Sequence, residues 1–188
     1  MKLYRRFYLV IIVILLVSCQ SLKSSPQPKL NTNEAKSSAK VVTLDKNFKI
    51  VKGQTIYVPV YSEIYHHNRQ EIFYLAATLS IRNTDLNSPI IITSVRYYDT
   101  NGKLVKQYLE NPTQLDALAS TDFFVTRDDT SGGVGANFIV EWVAAQEISE
   151  PIVEAVMIGT DFQQGISFIS PGRVIKDEGR RQAIGNRQ

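Results

Sequence analysis

Between residues 73 and 82 the chain alternates strictly. Phe73, Leu75, Ala77, Leu79 and Ile81 occupy one parity, and Tyr74, Ala76, Thr78, Ser80 and Arg82 the other. A period of two is that of an extended strand with one buried face; a helix would return its apolar residues every three or four positions. The pattern recurs over 136–142, where Ala136, Phe138, Val140 and Trp142 alternate with Asn137, Ile139 and Glu141. Segments 55–61, 90–99, 103–109, 122–126, 152–159 and 166–169 are rich in β-branched and aromatic residues and read as further strands, with a short one at 41–44.

Turn chemistry separates these runs. Asn101-Gly102, inside Asp99-Thr100-Asn101-Gly102-Lys103, accepts the positive φ angles of a tight hairpin. Asn83-Thr84-Asp85 and Asn87-Ser88-Pro89 punctuate the gap before Ile90, and Pro112 and Pro151 stop the elements beside them. The one place for helix is a turn or two at 113–118. Seven to nine short strands at this spacing predict an all-β domain: an antiparallel β-sandwich of immunoglobulin-like character, with a small β-barrel as the alternative. Trp142 shares its face with Phe138 and Val140 and therefore belongs to the core.

The N-terminus follows a different rule. Lys2, Arg5 and Arg6 precede an apolar run from Phe7 to Val17, which is the charged-then-apolar order of an export signal. That run is shorter than the roughly 20 residues a membrane-spanning helix requires. Leu16-Val17-Ser18-Cys19 resembles the bacterial lipobox, so residues 1–18 are expected to be a signal peptide and Cys19 the lipidated first residue of the mature chain, carrying acyl chains such as palmitate. Two or more such chains hold a protein firmly to a membrane, at about 0.8 kcal/mol per buried CH₂. Residues 19–40 are rich in Ser, Lys, Asn and Pro and read as a flexible tether. Residues 41–175 form the expected domain, and the polar, Arg-rich stretch 176–188 a disordered tail. The expected location is the cell envelope, anchored to a bacterial membrane; if the source has an outer membrane, Gln20 after the cysteine suits its periplasmic face.

Charge and cysteine content exclude other classes. The chain holds 21 basic and 18 acidic residues, but three of the bases lie in residues 1–18, where there is no acid, leaving 18 of each afterwards. A mature domain near neutrality offers no electrostatic stripe for nucleic acid. Cys19 is the sole cysteine, so no intrachain disulfide staples the domain and its core must supply the stability.

Four stretches carry a resemblance: Ser80-Ile81-Arg82-Asn83-Thr84-Asp85, Tyr97-Tyr98-Asp99-Thr100-Asn101-Gly102-Lys103, Gly132-Gly133-Val134-Gly135-Ala136-Asn137-Phe138 and Glu154-Ala155-Val156-Met157-Ile158-Gly159. Together they resemble an uncharacterised bacterial family, the domain of unknown function numbered three one two four, found in exported proteins. The resemblance covers roughly residues 53–175 and implies no activity.

Several groups are candidate sites. The loop Gly132-Gly133-Val134-Gly135, leading to Asn137, could cradle an anion on its amides, but it lacks the lysine of a P-loop and the helix of a dinucleotide fingerprint. Its plain reading is a tight connection in which glycines supply positive φ. His66 and His67 could share a zinc or copper ion only from a loop, since neighbours on a strand point to opposite faces. Asp122, Asp128 and Asp129 lack the ligand spacing of a calcium loop. Glu141 and Glu154 lie on apolar strands, where they either pair with Arg82, Arg96 or Arg173 or act as the acid and base of an envelope hydrolase. No nucleophile elbow occurs. Tyr57, Tyr61, Tyr97 and Tyr98 would make a recognition surface if they shared an exposed face. The preferred reading is a non-enzymatic binding module with no cofactor, held to the membrane through Cys19 and meeting an envelope protein through a sheet face or end loops. The alternative is a small-ligand or metal-binding module using the 65–70 or 132–137 loop.

Overall fold

The computed structural model of the chain describes residues 39–45, 48–160 and 165–178. The alternating segments form strands whose ends fall within three residues of those expected. In chain order the strands are β1 (Lys40–Val41), β2 (Lys52–Pro59), β3 (Glu63–His66), β4 (Asn68–Tyr74), β5 (Ala76–Arg82), β6 (Ile90–Tyr98), β7 (Leu104–Gln107), β8 (Thr113–Leu115), β9 (Ser120–Val125), β10 (Asn137–Ala144), β11 (Ile152–Gly159), β12 (Ile166–Pro171) and β13 (Arg173–Asp177).

All pairings are antiparallel. One sheet has seven strands in the order β1-β8-β6-β10-β2-β13, with β7 beside β8 along the same edge of β6; a second has the order β12-β11-β5-β9; β3 and β4 form a separate hairpin. The two larger sheets face each other as a sandwich and do not close into a barrel. Their inward residues form one core: Ile56, Val58, Ile92, Val95, Tyr97, Phe138, Val140 and Trp142 from one sheet meet Ala77, Leu79, Ile81, Val153, Ala155 and Met157 from the other. Aromatic rings link the layers. Tyr97 packs on Phe138 with ring centres 5.0 Å apart, Phe138 on Tyr108 at 5.7 Å, and Tyr108 edge-on against Phe123 of β9 at 5.5 Å. These spacings lie in the range where aromatic pairs add stability beyond their buried area.

Three expectations change. The alternation over 73–82 is not one strand: it breaks at Leu75, whose N–H donates to Ser62 O at 2.9 Å, so its first half completes the β3–β4 hairpin and its second half enters the four-stranded sheet. Residues 113–115 form strand β8 against Ile90–Ile92 rather than a helical turn, because β6 offers an open edge there. The last strand takes in Lys176 and Asp177, which were expected in the tail. Gly172 donates its N–H to Val153 O at 2.8 Å as the chain crosses between sheets, which aims β13 at the free edge of β2. The signal segment, most of the tether and residues 179–188 lie outside the described residues.

Buried polar groups hold the ends of the sandwich. Asn83 is 2% exposed; its Nδ2 donates to Ser88 O at 2.8 Å, Asp116 O at 3.0 Å and Leu115 O at 3.3 Å, while its Oδ1 accepts from Asp85 N. What the sequence shows as punctuation is thus a plug that joins two loops, its own and the one that follows Leu115. Asp85 accepts N–H bonds from Asn87, Ser149 and Ser88, which lower its pKa because they favour the charged form.

Candidate functional site

The glycine loop is built as a clasp. Gly133–Gly135 form one 3-10 turn. Thr100 N and Thr100 Oγ1 both donate to Gly132 O at 2.9 Å, and the same hydroxyl accepts Gly135 N–H at 2.9 Å. Ser62 donates to Gly133 O through both its N–H and its hydroxyl. The Gly132 and Gly133 carbonyls and the Gly135 amide are therefore spent on fastening the β6–β7 turn and the approach to β3, and that amide is not offered to an anion. Positive φ is required at Gly133 (73°) but not at Gly132, whose φ is −78°. Gly132 is needed for space instead, since a Cβ there would strike the Tyr97 hydroxyl and Ala136. Asn137 opens β10 between Tyr98 and Pro59.

Tyr97 is fully buried, and its hydroxyl makes no well-oriented hydrogen bond. Burial pushes its pKa up to about 12, and the nearby Ser62 hydroxyl offsets this only in part.

The histidines stand at the tip of the β3–β4 hairpin. His66 ends β3, and His67 follows with φ 59°, a left-handed turn residue. His66 Nδ1 lies 3.6 Å from Glu71 Oε2, and the Asn68 side chain organises the turn by accepting from Gln70 N and Glu71 N. No group of three or more His, Cys, Asp or Glu able to hold a metal ion occurs among the described residues. Asp129 accepts from Ser131 and shapes its own turn, and Asp122 lies on β9 opposite Ser80.

The two glutamates are not brought together. Glu141 is on the outward face of β10, where its Oε1 accepts from Arg96 Nη2; Glu154 is on the outward face of β11, in the opposite sheet. Tyr57 and Tyr98 share the outer face of the seven-stranded sheet, half-buried, with Arg96 6.0 Å from the Tyr98 ring centre. Tyr61 packs edge-on against Phe168 instead. Cys19 lies outside the described residues.

The outer face of the four-stranded sheet is different in kind. Register places Phe124, Thr78, Val156 and Ile169 in one row straight across β9, β5, β11 and β12. In the next row Ala76 lies beside Ile158. Phe124, Ile158 and Ile169 are 51%, 48% and 60% exposed. Beyond this apolar strip, toward the other end of the strands, come Asp122, Ser80 and Glu154 in one row and then Arg82 beside Ile152. The result is an apolar strip with three charged residues, Asp122, Glu154 and Arg82, at one end. One sequence signal could have found it: in Ile152–Gly159 both parities are apolar apart from Glu154, nearly as in a strand covered on both sides.

A family model described as "Protein of unknown function (DUF3124)" matches residues 53–175, which span β2 to the middle of β13. No curated protein and no solved structure matches the chain.

Proposed function

The chain belongs to this family of proteins of unknown function, and from that premise we propose that it is a non-enzymatic, lipid-anchored binding module of the bacterial envelope. Its partner is a protein that covers the outer face of the four-stranded sheet. The observation that carries this reading is the strip of Phe124, Val156, Ile158 and Ile169, which nothing among the described residues covers. Covering the three half-exposed side chains, Phe124, Ile158 and Ile169, contributes about 1 kcal/mol each, so the strip supplies roughly 3 kcal/mol. Association alone costs at least about that much. Arg82, Asp122 and Glu154 at its end must add contacts and thereby select the partner. The diacyl group on Cys19 would confine the domain to the membrane surface, and a tether of about 20 residues gives it a reach of roughly 25 Å.

Two measurements test the reading. A photo-cross-linking residue placed at Phe124, Ile158 or Ile169 in intact cells should yield adducts of discrete mass, while the same residue at Tyr57 or Ile139 should not. Recovery of only unattached monomer from all five positions would remove the binding face. Labelled fatty acid should enter the wild-type chain and not a Cys19→Ser variant; equal labelling of both would remove the anchor.

A further inference from the structure

A cleft of about 420 Å³, lined by Gln54, Glu150, Val174, Ile175, Lys176 and Asp177, opens where β13 pairs with the start of β2. The strand register explains why these residues meet. Val174 pairs with Ile56, the register then slips, and Lys176 and Asp177 pair with Thr55 and Gln54. The extra residue, Ile175, brings Val174 and Asp177 onto the sheet face shared by Gln54 and Ile56. Uninterrupted alternation would have sent two residues three apart to opposite faces.

The polar groups in this cleft are unbalanced. Gln54 is 3% exposed, and its Oε1 has no hydrogen-bond partner. The residue opposite it on β10, Trp142, also keeps an unpartnered Nε1, so the two do not satisfy each other. Asp177, adjacent to Gln54 across the strand pair, has no ion partner among the described residues. The neighbouring cations are committed elsewhere. Lys52 Nζ donates to Ile148 O at 2.8 Å and lies 3.7 Å from Glu150, and Lys176 pairs with Glu178. What remains is an amide oxygen beside a carboxylate, with Glu150 near and aliphatic Val174 and Ile175 alongside. Gln54 Oε1 and the Asp177 carboxylate are acceptors for which the cleft lining offers no uncommitted cation, so a ligand that donates can meet both, and the unpaired Asp177 favours a cationic one. A bare metal ion would need more oxygen ligands and would gain nothing from the aliphatic wall.

We propose that this cleft binds a small primary ammonium compound. Its N–H groups donate to Gln54 Oε1 and the Asp177 carboxylate, and its hydrocarbon lies along Val174 and Ile175. This site is separate from the apolar strip and stands or falls independently of it.

Thermal unfolding of the full chain in detergent, with n-butylammonium as probe, tests the site. Tetramethylammonium has the charge without an N–H group, and n-butanol has the chain without the charge. Near 100 times its dissociation constant, butylammonium should raise the melting temperature by several degrees, with both controls silent at equal concentration. Asp177→Asn should weaken that response at least about tenfold. Gln54→Leu should abolish it while leaving the basal melting temperature unchanged or higher, because the unpartnered oxygen is gone. Absence of a shift, an equal shift with tetramethylammonium, or a shift that persists in both variants would overturn the proposal.

Discussion

On the outer face of the seven-stranded sheet, Arg96 reaches Glu141, sits near the Tyr98 ring, and shares a row with Ile139 and Tyr57. On the outer face of the four-stranded sheet, the central row runs Phe124, Thr78, Val156, Ile169 and carries no charge. One face is largely finished, with Arg96 and Glu141 paired with each other at its surface. The other is finished only on its inner side. Both sheets obey the same alternation within, so the difference resides entirely in the residues of the opposite parity, and those are the residues free to serve a partner.

The largest effect expected from this contrast is on binding. Replacing Phe124, Ile158 and Ile169 together with Ser should weaken partner association by at least 100-fold, about 3 kcal/mol, with a melting temperature only a few degrees lower. A matched Tyr57→Ser, Ile139→Ser variant should leave association unchanged; equal losses from the two variants would erase the distinction between the faces. Next in size is Gly132→Ala, on the clasp that closes the seven-stranded sheet. Its Cβ must displace the buried Tyr97 hydroxyl, at a cost of about 2 kcal/mol in denaturant melts, and adding Tyr97→Phe should recover part of that loss.

Tyr97→Phe alone should change stability by less than about 1 kcal/mol at neutral pH, since the lost hydroxyl makes no well-oriented hydrogen bond. Its signature is in alkali. Tyr97 ionises at about 12 when folded against an ordinary value of 10.0, so the unfolded chain releases that proton first. Stability is fully present below pH 10 and is lost as pH rises toward 12, and the variant should flatten that decline. The smallest effect is that of Arg96→Ala. The pair it breaks is about a third exposed on both sides, and the cost should be about 0.5 kcal/mol, shrinking further in high salt.

The alternation made the inner layer legible: every member of the Ala136, Phe138, Val140, Trp142 set is buried. Partner choice was not legible. Nothing local in 73–82 says that Leu75 divides two sheets, because the division is made by Ser62 O, outside that run. Residues 113–115 and 173–177 became strands through the open edges of β6 and β2, which are properties of the assembled sheet. Of the candidate residues, Glu141 had Arg82, Arg96 and Arg173 as possible partners in the sequence, and the structure selects Arg96. Gly132 was credited with φ freedom when its role is to leave room for a tyrosine hydroxyl 35 positions earlier in the chain. Such long-range packing leaves no mark on neighbouring residues. The apolar strip did leave one, in Ile152–Gly159, where Glu154 is the one charged residue, but that pattern reads equally as a strand buried on both faces.

Strand β2 lies between β10 and β13, and even its closest register pair, Asn137 with Pro59, spans 78 residues. An early segment that finds both its neighbours only near the end of the chain cannot be stabilised during most of synthesis. Loops of this length close slowly, so folding should be late and all at once. Pulsed hydrogen exchange should therefore find the β2 amides protected after those of the local β6–β7 hairpin. The ribosome would release a polypeptide whose second half carries the instructions for its first.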